Sequence, residues 1–425
     1  MQQHDGPLSR LRRGHEELVL DLLRRNGPLS RGELGARCGL SRTTLYDIVG
    51  VLVANGAVVV HAPEATRRRR GRPVERLALN PGAGQAIGID FARRAVHVAA
   101  VNVAHEVVGT ASHPHGPGLP LAERIGIAER LVAGLAGDSL RLAALSAIGV
   151  GVVGPVPSAP GRPAAKTESD DQSATSVAPD ADRTVTPDGA LPPAVPDREA
   201  LARELRGLFG VPVLVDNNTR LAALAESVWG TAAGERDVLY LRLSHGVGGG
   251  LVVDGGLHRG AHGLSGEFGH ITVDPGGRPC ECGGTGCLET VASVGAVLEA
   301  HRAAGGTAGD IAEVTAAARA GREPAAGVVA SAGHHVGTAL AAVCNAVGPG
   351  VVVIGGELAA AGDALTVPVR EALAAGVLPF SRPLLDLRPA ALGEVGAALG
   401  GIALVLHRSP LLSRYPQAPD SGEDR

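Results

Sequence analysis

Lysine is all but missing from this chain. Of 39 basic residues only Lys166 is a lysine; so one-sided a usage reads as coding bias rather than function. Aromatic residues make up 2% of 425 positions, so the cores must be built from Ala, Val, Leu and Ile. The net charge is only −4, which argues against a chain that binds polyanions along its whole surface. No apolar leader stands at the N-terminus, and the expectation is that no apolar run is long enough to cross a bilayer. The expected compartment is the cytoplasm. Five cysteines are too few for a disulfide framework in a chain of this size. Cys38 and Cys344 stand alone; the other three are clustered.

What is present is enough apolar sequence, 45% of the chain, for two or three domains with sizeable cores. The cluster lies in residues 266–289, GEFGHITVDPGGRPCECGGTGCLE. His270, Cys280, Cys282 and Cys287 supply three thiolates and an imidazole, the donor set of a closed tetrahedral structural zinc site. Glycines 276, 277, 283 and 284 let a short loop fold around an ion. Disulfides among these cysteines would need an oxidising compartment, and unrelated buried cysteines would not often fall as C-x-C-x4-C behind a histidine.

Arginine crowds the first 76 residues, which points to a nucleic-acid-facing head on an acidic body. Residues 15–25 carry Leu18, Val19, Leu22 and Leu23 at helical spacing, and Asn26-Gly27-Pro28 ends the run. Ser30 and Glu33 form a capping box for a short helix. Gly39 predicts a tight turn, and Ser41 caps a second helix with Leu45, Ile48, Val49 and Leu52 on its buried stripe. Two short helices joined by a glycine turn match a helix-turn-helix. Two strands follow, separated by Arg67, Arg68, Arg69, Arg70 and Arg72, which completes a winged form. A small protein-interaction domain would not need that basic wing. Ser41, Arg42, Thr43, Thr44 and Tyr46 are the candidates to meet base edges or phosphates of double-stranded DNA. The wing arginines would supply affinity and salt dependence, with Arg70-Gly71-Arg72 suited to a narrow minor groove.

From residue 83 the pattern is three strands, a helix, a strand, a helix, a strand and a helix. It restarts at Asp237 with three more strands, the cysteine loop, alanine-rich helices, a strand, a helix, a strand and a last helix ending near residue 408. Two halves with the same opening imply a duplicated α/β fold of two lobes, with a ligand cleft between them. The expected divisions are a head at 1–82, a first lobe at 83–228, a second lobe at 229–408 and a frayed tail from 409. Residues 158–190, rich in Pro, Ser, Thr and Asp, read as a disordered surface insertion.

This combination resembles the ROK family of bacterial sugar kinases and sugar-responsive repressors. The resemblance is carried by LSHGVGGG at 243–250, Gly260 to Gly263, Glu267-Phe-Gly-His270, the C-x-C-G-x-x-G-C-L-E run ending at Glu289, and Val353 to Glu357. The head, with LSRTTLYDIVGVLVANG and GRPVERLALNPGAG, resembles the repressor branch. The resemblance implies an actin-like sugar-kinase body that forms dimers or tetramers. It also implies that Asn217, Glu267 and Glu289 hold sugar hydroxyls, and that His270 ligates zinc beside the sugar. With Asn218 these make the candidate sugar site.

The same comparison marks departures in the phosphoryl-transfer parts. Kinase members carry a DxGGT phosphate loop, where this chain has Asp90-Phe-Ala-Arg-Arg94. Glycine lets backbone amides approach phosphate closely, which arginine does not. The family's catalytic aspartate is replaced by Asn218, whose amide cannot take a proton at neutral pH. Ser244-His245 stands for a glycine-threonine pair in the second loop. Asp216, next to Asn217, is a poor substitute for the base. The expected function is a sugar-responsive regulator, a repressor of carbohydrate uptake or catabolism genes, with structural zinc and no kinase activity. The competing expectations are an ATP-dependent hexokinase with a regulatory head, and a DNA-binding protein whose body only dimerises.

Overall fold

The computed structural model describes residues 7–54, 56–61, 75–80, 85–102, 106–135, 145–154 and 198–408. Its head begins with helix α1 (Pro7–Asn26), followed by β1 (Leu29–Ser30), α2 (Arg31–Cys38), α3 (Arg42–Ala54), β2 (Val58–His61) and β3 (Arg76–Leu79). The first helix starts eight residues before the expected one, because the apolar periodicity shows only where side chains reach the core. Ser30 and Glu33 form the predicted capping box, and Gly39 turns the chain at φ 65°. Leu34, Leu45, Val49 and Leu52 are buried with Val19, Leu20 and Leu77 in one core. The two residues of β1, unforeseen, pair antiparallel with β3, which also pairs with β2. The arginines at 67–70 and 72, the insertion at 158–190 and the tail from 409 lie outside the described residues.

The body holds two five-stranded sheets with matching order. The first contains β4 (Gln85–Phe91), β5 (Ala95–Val101), β6 (Val107–Pro114), β7 (Leu145–Val152) and β8 (Val213–Asn217), in the order β6-β5-β4-β7-β8. Helices α4 (Leu121–Leu135) and α5 (Arg198–Phe209) cover one face, and α6 (Asn218–Val228) follows β8 directly. The second sheet contains β9 (Val238–Leu243), β10 (Val247–Val253), β11 (Gly256–His258), β12 (Val351–Gly355) and β13 (Asp386–Pro389), in the order β11-β10-β9-β12-β13. In each sheet the first three strands form an antiparallel meander and the last two add in parallel. Central strands β4 and β12 are buried at every residue, as expected of strands covered on both faces.

Between β11 and β12 run α7 (Glu289–Ala292), α8 (Val294–Ala303), α9 (Ile311–Arg319) and α10 (Ala325–Val347). After β12 come α11 (Asp363–Gly376) and α12 (Gly396–Arg408). Against expectation, α10 is by length and composition apolar enough to span a bilayer. Its sequence hides this because alanine, glycine and two histidines break the visual run of large apolar residues. Half of its apolar window is buried, and Val329, Val336, Leu340 and Cys344 join Leu365, Val369 and Leu373 of α11 in one core.

The two halves exchange helices at their contact. Helix α12, last in the described chain, packs on β4 and β7 of the first sheet, while α6 packs on β9 and β10 of the second. A Cβ on Gly88 would lie 1.7 Å from the Ala398 carbonyl oxygen, and one on Gly149 would lie 1.8 Å from that of Gly401. Strand and helix backbones therefore touch, which only glycine permits. Alanine-rich helices and scarce aromatics are the compositional trace of this packing.

Candidate functional site

Strand β8 carries Asp216 and Asn217 into the start of α6, where the first sheet meets the second half. Asn217 is the N-cap. Its Oδ1 accepts hydrogen bonds from the backbone N–H of Thr219 at 2.9 Å and of Arg220 at 3.1 Å, and from Thr219 Oγ1 at 2.6 Å. Its Nδ2 donates to the Gly154 carbonyl at 2.8 Å. One amide hydrogen of Asn217 is left for a ligand. Capping here satisfies the open amides of the first turn.

Asn218 points the other way. Its Nδ2 donates to Asp90 Oδ1 at 3.2 Å. Asp90, at the end of β4, is fully buried, and its Oδ2 has no hydrogen-bond partner among the described residues. Burial pushes its carboxyl above the usual aspartate range, against the pull of Arg242, His97, Asn218 and Arg124. An amide thus sits against a carboxylate that has no room to move: a Cβ on Gly151 would lie 3.1 Å from both Asp90 Oδ1 and Asn218 Cβ. Asp216 is equally engaged. It receives Arg220 Nε at 2.9 Å and Arg259 Nε at 2.6 Å. Burial alone would raise its carboxyl, but the two arginines outweigh burial and hold it below the usual range. It is no spare base. Neither Asp90 as the partner of Asn218 nor Arg220 and Arg259 as partners of Asp216 emerged from the sequence. Only the four-residue spacing of Asp216 and Arg220 on a helix start hinted at the pair.

Glu267 enters from the second half, on the segment that follows β11. Its carboxyl is raised by burial first, with Glu289 adding to the rise and His270 and Arg220 opposing it. Glu267 thus lies within electrostatic reach of His270, Arg220 and Glu289. Glu289, the first residue of α7, accepts the Val247 N–H at 2.7 Å through Oε2, which ties it to the turn between β9 and β10. His245 in that turn has its imidazole lowered, chiefly by burial and then by Arg94. His245 is thus within electrostatic reach of Arg94 and Arg93.

The four residues expected to bind a metal converge. Their donor atoms all lie within 4.8 Å of one another. Cys282 Sγ and Cys287 Sγ are 3.7 Å apart, as are Cys280 Sγ and His270 Nδ1. A tetrahedron with metal–sulfur bonds of about 2.3 Å has an edge of about 3.8 Å, which these two pairs match, so the cluster could hold a metal ion. The Gly284 N–H, 3.4 Å from Cys282 Sγ, draws that thiol below its usual range. Paired bridges Thr272–Cys287 and Pro279–Thr285 close the loop, and the Cys287 side is buried beneath it.

In the head, Ser41 Oγ and Thr44 Oγ1 bond each other at 2.8 Å, and Ser41 Oγ accepts the Thr44 N–H. That pair is committed to capping α3. Arg42 and Thr43 are exposed. Tyr46 is 56% exposed, with the Arg31 guanidinium 5.0 Å from its ring centroid. Arg31 also bonds Glu75 at 2.7 Å, joining α2, α3 and the residue before β3.

A duplicated actin-like body with a cysteine-histidine loop beside a lobe junction is the architecture of a sugar-kinase superfold member. The ROK family profile matches residues 87–408, and the chain belongs to the ROK family. A glucokinase from Halalkalibacterium halodurans is 38% identical over 213 residues, covering 46% of this chain and 64% of that protein. The DNA-binding transcriptional repressor Mlc of Escherichia coli is 32% identical over 230 residues, covering 51% and 56%. In both, less than two thirds of the relative is spanned. Among solved structures, a ROK family transcriptional regulator described as a homolog of E. coli Mlc matches with TM-score 0.70 at 26% identity, over 93% of this chain and 96% of that one. A ROK hexokinase from Thermus thermophilus matches with TM-score 0.55 at 29% identity, over 75% and 96%. Relatives thus include both repressors and kinases.

Proposed function

We propose that this chain is a sugar-responsive DNA-binding regulator whose body binds a sugar without phosphorylating it. The carrying observation is Asn218, an amide hydrogen-bonded to buried Asp90, at the position where the family's kinases place their base. Proton removal from the sugar hydroxyl then has no acceptor there. Ala92 and Arg93 stand where a phosphate cradle has its two glycines, and Arg94 where it has its threonine. The repressors among the relatives, Mlc and the xylose repressor of Bacillus subtilis, support repression of carbohydrate genes.

In this reading residues 1–82 form the DNA-binding head, 83–228 and 229–408 the lobes, and the protein works in the cytoplasm as a dimer or tetramer on double-stranded DNA. Arg42, Thr43 and Tyr46 meet the DNA, with Ser41 and Thr44 setting the start of their helix and the arginines at 67–70 and 72 adding phosphate contacts. Asn217, Asn218, Glu267, His270 and Glu289 line the sugar site. His270, Cys280, Cys282 and Cys287 hold zinc. Zinc supplies a rigid centre with no open coordination position, so it braces Glu267 and Glu289 and activates no water. Sugar seated between the lobes changes their angle and hence the spacing of two heads, which operator half-sites require to be fixed.

The test is a pair of assays on purified protein. Incubation with ATP and a hexose panel yields no phosphorylated sugar, while one aldose, D-glucose or D-xylose first, lowers affinity for DNA selected by the protein. The hexokinase reading is kept alive by the 38% identical glucokinase and by the intact Gly246 and Gly248–Gly250. Turnover above a no-enzyme background would establish it and end ours.

A further inference from the structure

Asp216 lies on the edge strand of the first sheet, yet both its arginine partners lead into the second half. Arg220 is on α6, which is pressed against β10: a Cβ on Gly250 would come 2.8 Å from Arg220 Cα. Arg220 is 1% exposed, meets Asp216 Oδ1 through Nη2 at 2.7 Å, and donates through Nη1 to the Gly263 carbonyl at 2.5 Å. Arg259, just past β11, meets the second oxygen of the same carboxylate at 2.6 Å. Ser265 N–H donates to the Arg259 carbonyl at 3.1 Å, and the Gly266 carbonyl accepts Gly249 N–H at 2.8 Å. The segment from Arg259 to Gly266 is thus a closed loop. One carboxylate on the first sheet fixes it from below, through Arg259 directly and through Arg220 at Gly263. Glu267 is its next residue.

We propose that Asp216, Arg220 and Arg259 form a latch between the two halves, and that Arg259 is a positioning residue that sets where Glu267 meets the sugar. This rests on the sugar-binding reading above. The chemistry suits a movable latch better than a fixed brace. Arg220 is sealed in, whereas the Arg259 side chain is 30% exposed, so water can replace Asp216 at Arg259 while the Asp216–Arg220 pair survives. A buried pair that loses one partner is costly; a half-exposed pair opens at modest cost. Loosening Arg259 frees the loop that carries Glu267 without unfolding α6.

The test compares wild type with Arg259→Met, which keeps the aliphatic stem, and Arg259→Lys. Arg259 reaches Asp216 through Nε, close to the backbone, so a lysine ammonium can take the same place. Hydrogen exchange without sugar is expected to quicken at least tenfold at the Gly263–Gly269 amides in Arg259→Met, and to return towards wild type in Arg259→Lys. Exchange in α10 stays unchanged as the folding control. The D-glucose or D-xylose concentration that half-releases DNA is expected to rise at least tenfold in Arg259→Met, with partial recovery in Arg259→Lys. Unchanged loop exchange overturns the latch. Quickened exchange with an unchanged midpoint overturns the positioning of Glu267. A wild type deaf to every sugar refutes the sugar-binding reading instead, and the exchange comparison still judges the latch.

Discussion

Asp90 and Asp216 pair in register with Gly151 from its two sides, and they respond to acid in opposite senses. Asp216 has its carboxyl lowered in the folded protein, so its contribution is complete above the unfolded value of about 3.9 and fades as pH falls below it. Asp90 has its carboxyl raised by burial. Its contribution is complete when it is protonated, below about pH 3.9, and is lost as pH rises through its folded value. Asp90→Asn keeps the Oδ1 that Asn218 bonds and removes an ionisable group that burial disfavours in its charged form. It is expected to stabilise the protein at pH 7 by on the order of 1 kcal/mol. The gain shrinks towards zero as the pH of a urea titration is lowered to about 4. A loss of stability at pH 7 would show that Arg242 and Arg124 need the carboxylate more than burial penalises it. At the same scale, Arg42→Ala is expected to weaken DNA binding and to lower the slope of log affinity against log salt by about one. An unchanged slope would remove Arg42 from the phosphate contacts.

Among elements, the cysteine loop and the glycine-lined strands make the sharpest claims. Cys282→Ser is expected to lose the bound metal, measured by atomic absorption, and to cost roughly 3 kcal/mol or more in the second half. A chelator should act on wild type in the same direction and leave the variant unmoved. Gly149→Ala would drive a Cβ into the Gly401 carbonyl at 1.8 Å; the strand or α12 must shift, at an expected cost of about 3 kcal/mol. An urea midpoint within error of wild type would mean the backbones are less tightly held than drawn. The loop was legible because its donors fall close together in sequence and only one chemistry wants that set. The two sheets were legible because parallel strands buried on both faces leave unbroken apolar runs such as VVVIG at 351–355. What stayed hidden has a common cause. The partners Asp90 and Asn218 are 128 residues apart, and Arg259 lies 43 residues beyond Asp216. No local pattern encodes who faces whom across such sequence separations. Glycines 88 and 149 likewise gave no sign, since a strand glycine reads as a weakness until the helix carbonyl above it is seen.

At the scale of the whole molecule, the head has its own core around Leu34, Val49 and Leu52, whereas neither half of the body is complete alone. Leu79, at the end of β3, packs both on the head core and on the cluster containing Ala398, Ile402 and Val405 of α12. Among the described residues, Leu79 thus links α12 to the head core. Leu79→Ala is expected to leave sugar affinity in place while weakening its effect on DNA, read as a reduced shift between sugar-free and sugar-saturated DNA affinity. An undiminished shift would place the coupling elsewhere. The exchange of helices also dictates an order of events during synthesis. The first sheet's inner face is closed by α12, which leaves the ribosome about 300 residues after β4, a delay of roughly a quarter to one minute at ordinary translation rates. For that interval the head is ready to fold and the sheet beside it is not. Newborn chains thus carry a finished N-terminal unit on an unfinished body, whose apolar face stays open to chaperones until α12 arrives.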